Sequence, residues 1–411
     1  MKRILFLFIF LNIVTTTLFS AEKKKEPKEV KLATLYKAAN LAIKNSSGQD
    51  NAKNNLLGAL NRESLTQKQK ANIYYTCALL DESSNSIQNM KAYLKQPCDT
   101  AALFNTLLNM YGNLYKCDSL DAIPNPNGVV KLKYKSKTSG LRAKHLPNIL
   151  NGGKYYLAKN NFATAYSFFD TYSTYTQPTD AMLPKVAYWA TFSSYKLGQH
   201  ANTLKYIDRA FEVVDAKDGA ILQEYKCRTH LALNDEKSYE EDLVKGVRTY
   251  PDHDFFFVNL TDVYSEKHMY KEGLALADSL IAVDSKKPLY WFSKSKIELS
   301  ENNYDKCIEY SDSTILRDST YTDAYYNKGI SYMNQALIRQ DGASAKLTDP
   351  KSLEDKKAIE SLYRKAQPCM EMVRKLEPEN IERWGRHLYR IYMYLNRGKE
   401  FEEIDKLLRS K

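Results

Sequence analysis

Asn302-Asn303-Tyr304-Asp305-Lys306-Cys307-Ile308-Glu309-Tyr310 and the following Thr322-Asp323-Ala324-Tyr325-Tyr326-Asn327-Lys328-Gly329-Ile330-Ser331-Tyr332 decide how this chain is read. Both stretches are amphipathic at helical spacing, and both recur. Windows of 34 residues beginning at Asp254, Pro288 and Thr322 abut without a gap. Others begin at Leu146, Pro184, Ala220 and Ile381, while Tyr270, Tyr304 and Tyr363 each follow a polar turn and open a second helix. A fixed period of this length predicts helix–turn–helix units stacked one on the next.

The register carries a physical signature. The eighth position of each window holds Gly153, Thr191, Cys227, Thr261, Ser295, Gly329 and Leu388. The twentieth holds Ala165, Thr203, Tyr239, Gly273, Cys307 and, past an insertion, Ala366. Small side chains dominate both positions, because two antiparallel helices can cross closely only where their backbones are not held apart. Aromatic rings fill the fourth position (Phe257, Trp291, Tyr325, Trp384) and the seventeenth (Phe162, Tyr270, Tyr304, Tyr363). Pro251 and Pro378 close two units where a helix must stop.

These residues resemble the tetratricopeptide repeat (TPR) family, firmly over 146–411 and loosely over 30–121. The resemblance implies an all-α, TPR-like α-solenoid of stacked antiparallel helix pairs. Three departures stand out: Tyr239 and Leu388 where a small residue belongs, and about 25 extra residues, 336–358, expected as a surface loop. In this family the first helix of each pair lines a groove with its second, fifth, ninth and twelfth positions. Here those places hold Tyr188, Phe192, Tyr195, Phe255, Phe292, Lys296, Tyr326, Ile330, Met333, Tyr389 and Tyr392. Such an aromatic row suits an extended peptide or an apolar helix, since aromatic anchors dominate binding energy. Asn327 matches a position of the family's carboxylate clamp, but Phe292 and Glu382 stand where Lys is expected, so capture of chaperone C-termini does not follow.

The chain opens on Met1-Lys2-Arg3, an apolar run from Ile4 to Val14, and a polar boundary near Ser20-Ala21. That pattern reads as a secretory signal over 1–21, with an uncleaved anchor as the alternative; the resemblance to exported TPR proteins of Gram-negative bacteria then implies a site in the periplasm or cell envelope. No second apolar run is long enough to span a bilayer. Residues 22–121 read as helical pairs of unfixed register, with separate helices through Ile73–Leu80 and Ile87–Tyr93. Residues 122–145 break the pattern with Ile123-Pro124-Asn125-Pro126-Asn127-Gly128, after which Val130-Lys131-Leu132-Lys133-Tyr134-Lys135 alternates as an extended strand would. This basic stretch reads as a solvated connector, or else as a contact for an acidic partner or membrane surface. Residues 146–411 form the array, and Phe401, Ile404, Leu407 and Leu408 give its last helix one apolar face, as an end cap needs.

The net charge of +11 is interspersed along the sequence and, apart from the one modest basic cluster at 131–144, lacks the clustered basic face that nucleic-acid binding needs. Cys77, Cys98, Cys117, Cys227, Cys307 and Cys369 have wide spacings and no CxxC, and read as small buried hydrophobes. The six histidines have no paired spacing for a metal, and the nucleophile-elbow, phosphate-loop and HExxH motifs are absent. No cofactor, metal site or catalytic set is therefore assigned. The reading is a non-catalytic protein-binding scaffold with a protein or peptide partner; capture of an envelope glycan or small ligand on the same helices is the alternative.

Overall fold

The computed structural model describes residues 30–125, 127–342 and 350–409. Among them are eighteen α-helices, one short 3-10 turn (Phe211–Val213) and no strand. The expected signal at 1–21 lies outside the described residues. Two compact units divide the chain: Met1–Tyr155 with Asp170–Gln177, and Tyr156–Phe169 with Pro178–Lys411.

In chain order the first helices are α1 (Leu32–Asn45), α2 (Gln49–Ala59), α3 (Gln67–Tyr93), α4 (Thr100–Asp121), α5 (Lys135–Ala158) and α6 (Phe162–Tyr175), of which 156–158 and 162–169 fall in the second unit. The two helices expected between Ile73 and Tyr93 are one, α3, started by a capping box in which Thr66 and Gln69 satisfy each other's main chain. Its last turn leaves Met90 and Tyr93 exposed, so their spacing marks no second buried face. Asp99 caps α4 by accepting from the Ala102 N–H.

Residues 122–145 also differ from expectation. There is no strand at 130–135, and α5 begins eleven residues before the window at Leu146. The buried face of this early part is polar: Thr138, Arg142 and His145 are almost fully covered. The Thr138 hydroxyl donates to Asp118 Oδ1 at 2.8 Å, and Arg142 pairs with Asp118 Oδ2 at 2.6 Å. A helix whose inward stripe is polar escapes a reading based on hydrophobic period.

In the second unit the helices are α7 (Leu183–Lys196), α8 (His200–Ala210), α9 (Ala216–Ala232), α10 (Glu236–Thr249), α11 (Asp254–Glu266) and α12 (Tyr270–Val283). They continue as α13 (Pro288–Ser300), α14 (Tyr304–Arg317), α15 (Thr322–Asp341), α16 (Pro350–Leu376), α17 (Ile381–Tyr394) and α18 (Gly398–Arg409). Helix starts coincide with the windows at Asp254, Pro288, Thr322 and Ile381. Within this unit each helix packs on the next, from α7 to α18, as an α-solenoid of antiparallel pairs requires.

The small residues meet where the register places them. Ser295 Oγ lies 3.4 Å from Cys307 Sγ and 2.7 Å from Ser311 Oγ, and Thr203 Oγ1 donates to Ser194 Oγ at 3.1 Å. Tyr239 is accommodated by turning toward the next pair, where its hydroxyl donates to Asn259 Oδ1. Leu388 is fully buried in the cluster around Trp384, Met370 and Ile404. The insertion is not a long loop in its described parts: α15 runs on to Asp341 and α16 starts at Pro350. Arg339 on one extension pairs with Asp355 on the other at 2.9 Å.

One turn recurs inside the pairs. Asn160, Gly198, Asn234, His268, Asn302 and Asn396 all have positive φ, between 52° and 66°, each two residues before the second helix begins. The following N–H reaches back five residues in every case, as from Asn303 to the Glu298 carbonyl (2.8 Å) and from Met269 to Tyr264 (2.7 Å). This is the left-handed helix stop that Gly and Asn adopt at least cost.

Candidate partner-binding face

The first helices of the pairs, α7, α9, α11, α13, α15 and α17, present one row of side chains in the second unit, and neighbours along it touch. Tyr195 of α7 stacks on Tyr225 of α9 with ring centroids 3.7 Å apart. Phe192 meets Phe162 edge-on at 5.7 Å and carries the Lys196 ammonium over its face. Lys185 lies in the same way over Tyr188. On α9, Arg228 covers the Phe255 ring of α11 at 4.6 Å while its Nε donates to Glu224 at 2.7 Å. Glu224 also binds His253 at 2.8 Å.

Farther along, Lys296 of α13 pairs with Asp262 of α11 at 2.5 Å, and Phe292 packs against Tyr321 at 4.9 Å. On α17, Arg383 lies 4.8 Å over the Tyr326 ring and binds both Asp323 and Glu377. The Tyr326 hydroxyl lies 3.4 Å from His387 Nε2, and burial holds that imidazole below its usual pKa. Burial likewise raises the Tyr188, Tyr195 and Tyr225 phenols, so they remain neutral hydrogen-bond donors.

Of the twelve residues singled out from the sequence, Tyr188, Phe192, Tyr195, Phe255, Phe292, Lys296, Tyr326 and Ile330 lie partly or largely open on this row. Tyr389 is half-buried but capped by Phe401 of α18, 4.6 Å away. Three do not belong to an open face. Met333 and Tyr392 are each 3% exposed inside the core around Trp384, where Tyr392 donates to Glu371. Asn327 is 7% exposed and donates to Ser295 Oγ, an internal partner where a clamp residue would need to face solvent. Each sits where the helix turns its stripe toward the neighbouring pair.

Apart from Lys296, what the sequence reading missed is the charge. Glu224, Arg228 and Asp262 occupy fifth and ninth positions of their windows, and Arg383 and His387 join them from α17. Looking at those same places for charged as well as aromatic residues would have found the first three. Their pairing, Arg228 with Glu224 and Lys296 with Asp262, leaves the face nearly neutral while keeping exchangeable charges beside exposed rings.

The first unit has its own cleft, about 630 Å³, along α1, α3 and α5, with Ile43, Leu79, Ile87 and Met90 as apolar wall and Glu82 and Lys144 at its polar edge. It went unseen because the register of that part cannot be fixed from sequence. Among the described residues no group of three His, Cys, Asp or Glu side chains could hold a metal, and no helix is long and apolar enough to cross a membrane. All six cysteines are free, and burial pushes the Cys77, Cys117 and Cys227 thiols up to about 12.

No family model matches this chain, and no curated protein matches it. Among solved structures, the C-terminal part of a TPR repeat-containing protein from Cytophaga hutchinsonii is 12% identical, covering 62% of this chain and 93% of its own, with a TM-score of 0.44. A TPR repeats protein from Bacteroides fragilis is 15% identical over 64% of this chain and 98% of its own, with a TM-score of 0.31. YrrB, described as a TPR protein with an unusual peptide-binding site, is 14% identical over 47% and 91%, with a TM-score of 0.29. The fold reading rests on the chain's own helix pairs.

Proposed function

We propose that this chain is a non-catalytic binding scaffold, exported to the cell envelope, that holds an extended peptide or a helix of a protein partner along the first-helix row of its second unit. The observation that carries this reading is the recurrence of partly open rings (Tyr188, Phe192 and Tyr195 on α7, Tyr225 on α9, Phe255 on α11, Phe292 on α13, Tyr326 on α15) on consecutive helix pairs, with paired charges between them. Rings at that spacing offer successive apolar anchors, and the pairs beside them can open to meet a partner's own charges. Export is supported by the basic start, the apolar run and the polar boundary of the first 21 residues.

The test is recovery of a protein from an envelope extract by the wild-type chain, compared with a Phe292→Ala/Tyr326→Ala variant of unchanged helicity. A specific protein should be retained by the wild type and lost at least tenfold in the variant. Equal recovery by both would remove the row from the function, and retention of a soluble sugar with no protein would replace the proposal with ligand capture.

A further inference from the structure

Residues 129–137, just before and at the start of α5, combine exposed aliphatic side chains with exposed lysines. Val129, Val130 and Leu132 are 46–47% exposed, and Ile123 joins them at 46%. Interleaved with them, Lys131, Lys133, Lys135 and Lys137 are all exposed. Among the described residues none of these four lysines forms an ion pair, whereas Lys267, Lys287, Lys294, Lys296 and Lys328 each reach an acid. Lys133 and Lys137 only lie over the rings of Tyr134 and Tyr75.

The acids nearby are already committed inward. Asp118 takes Arg142 and Thr138, and Asp121 accepts the Tyr134 N–H at 2.8 Å. The stretch is also firmly rooted. Tyr134 is buried, donates its hydroxyl to Asn72 and packs 5.0 Å from Tyr75. On the other side the Asn125 carboxamide accepts from the Asn127 and Val129 N–H groups, and Gly128 closes the turn at a φ of 76°. Exposed aliphatic side chains on a fixed support, surrounded by uncompensated positive charge, are arranged to meet something apolar beneath a negative surface.

We propose that residues 129–137, with Ile123, are a docking element for an anionic lipid bilayer, independent of the peptide-binding row. The aliphatic side chains would enter the boundary between headgroups and acyl chains while the lysines meet the phosphates. A protein partner fits less well. Protein interfaces are enriched in Tyr, Trp and Arg and depleted in Lys, and this surface offers lysine and aliphatic carbon.

The test places a tryptophan in the element. The full chain carrying Val130→Trp is mixed with vesicles of phosphatidylcholine alone or with phosphatidylglycerol. The added emission, taken as the difference from wild type, should shift to the blue and be quenched by brominated lipid only with phosphatidylglycerol. Raising salt to 0.5 M should weaken the effect at least tenfold, and so should Lys131→Glu/Lys133→Glu/Lys135→Glu. Because the reporter is local, attachment through another part of the chain cannot mimic it. A chain that sediments with vesicles while the reporter stays unshifted overturns the proposal, as does a triple variant that behaves like wild type. An equal shift with poly-glutamate would also overturn it, in favour of an acidic polymer.

Discussion

At the residue scale, one backbone task is shared by Asn160, Asn234, Asn302, Asn396 and Gly198, and His268 performs it with the wrong side chain. Left-handed backbone costs an ordinary residue about 1–2 kcal/mol, a cost that Asn reduces and Gly avoids. His268 at a φ of 55° gains an exposed contact of its Nδ1 with the Tyr270 hydroxyl and an edge-on contact with that ring. His268→Asn is therefore expected to raise stability by about 0.5 kcal/mol, and Asn302→Ala to lower it by about 1 kcal/mol. Denaturant unfolding of the two variants against wild type measures both; the same sign for both changes would mean the turn conformation is not what these residues are for. The Asn-Asn pairs at 160–161 and 302–303 made two of these turns legible in the sequence. The turn before Tyr270 was legible too, but its left-handed backbone was not, because nothing in the type of His268 announces positive φ.

At the scale of elements, the paired helices of the second unit were legible because their buried faces are apolar and their crossings are small. The start of α5 was not, because its buried face is held by hydrogen bonds and charge. Glu82 of α3 shows the consequence. It accepts from Lys144 Nζ at 2.6 Å and lies 3.1 Å from His145 Nε2, both on α5. The bond from His145, reinforced by Lys144 against the opposing effect of burial, holds the Glu82 carboxyl down at about 2. A carboxylate whose pKa is lower folded than unfolded adds stability that is complete above its unfolded value, near 4.5, and fades as pH falls toward about 2. Glu82→Gln should thus have a lower Tm than wild type at pH 5, with the gap closing steadily as the pH is lowered to 2. Thermal melts across that window decide it; a gap that stays constant would show that the carboxylate charge does not tie α3 to α5.

At the scale of the whole molecule, each compact unit stands on its own account, and the second is long enough to test how stability travels along stacked pairs. The candidate face was only partly readable there, for a related reason. Positions two, five, nine and twelve point outward only while a pair keeps the common geometry, and near the chain's end Met333 and Tyr392 are drawn into the core that α18 closes. Ile404 is the keystone of that closure. It is fully buried against α17, beside Phe401 on Tyr389, and Leu408 comes so near Gly385 that a Cβ there would sit 3.0 Å from its Cδ2. Ile404→Asp buries an unpaired carboxylate and removes the aliphatic contact, an expected local cost of about 3 kcal/mol or more. In a stack where every pair leans only on its neighbours, that loss should stay near the end where it is made. Hydrogen exchange should accelerate most in α17 and α18, less in α15 and α16, and not at all in α7 and α8. Uniform acceleration from α7 to α18 would instead mean that the unit opens as a single cooperative body, and α18 would then be an integral member of one core, with no separable capping role.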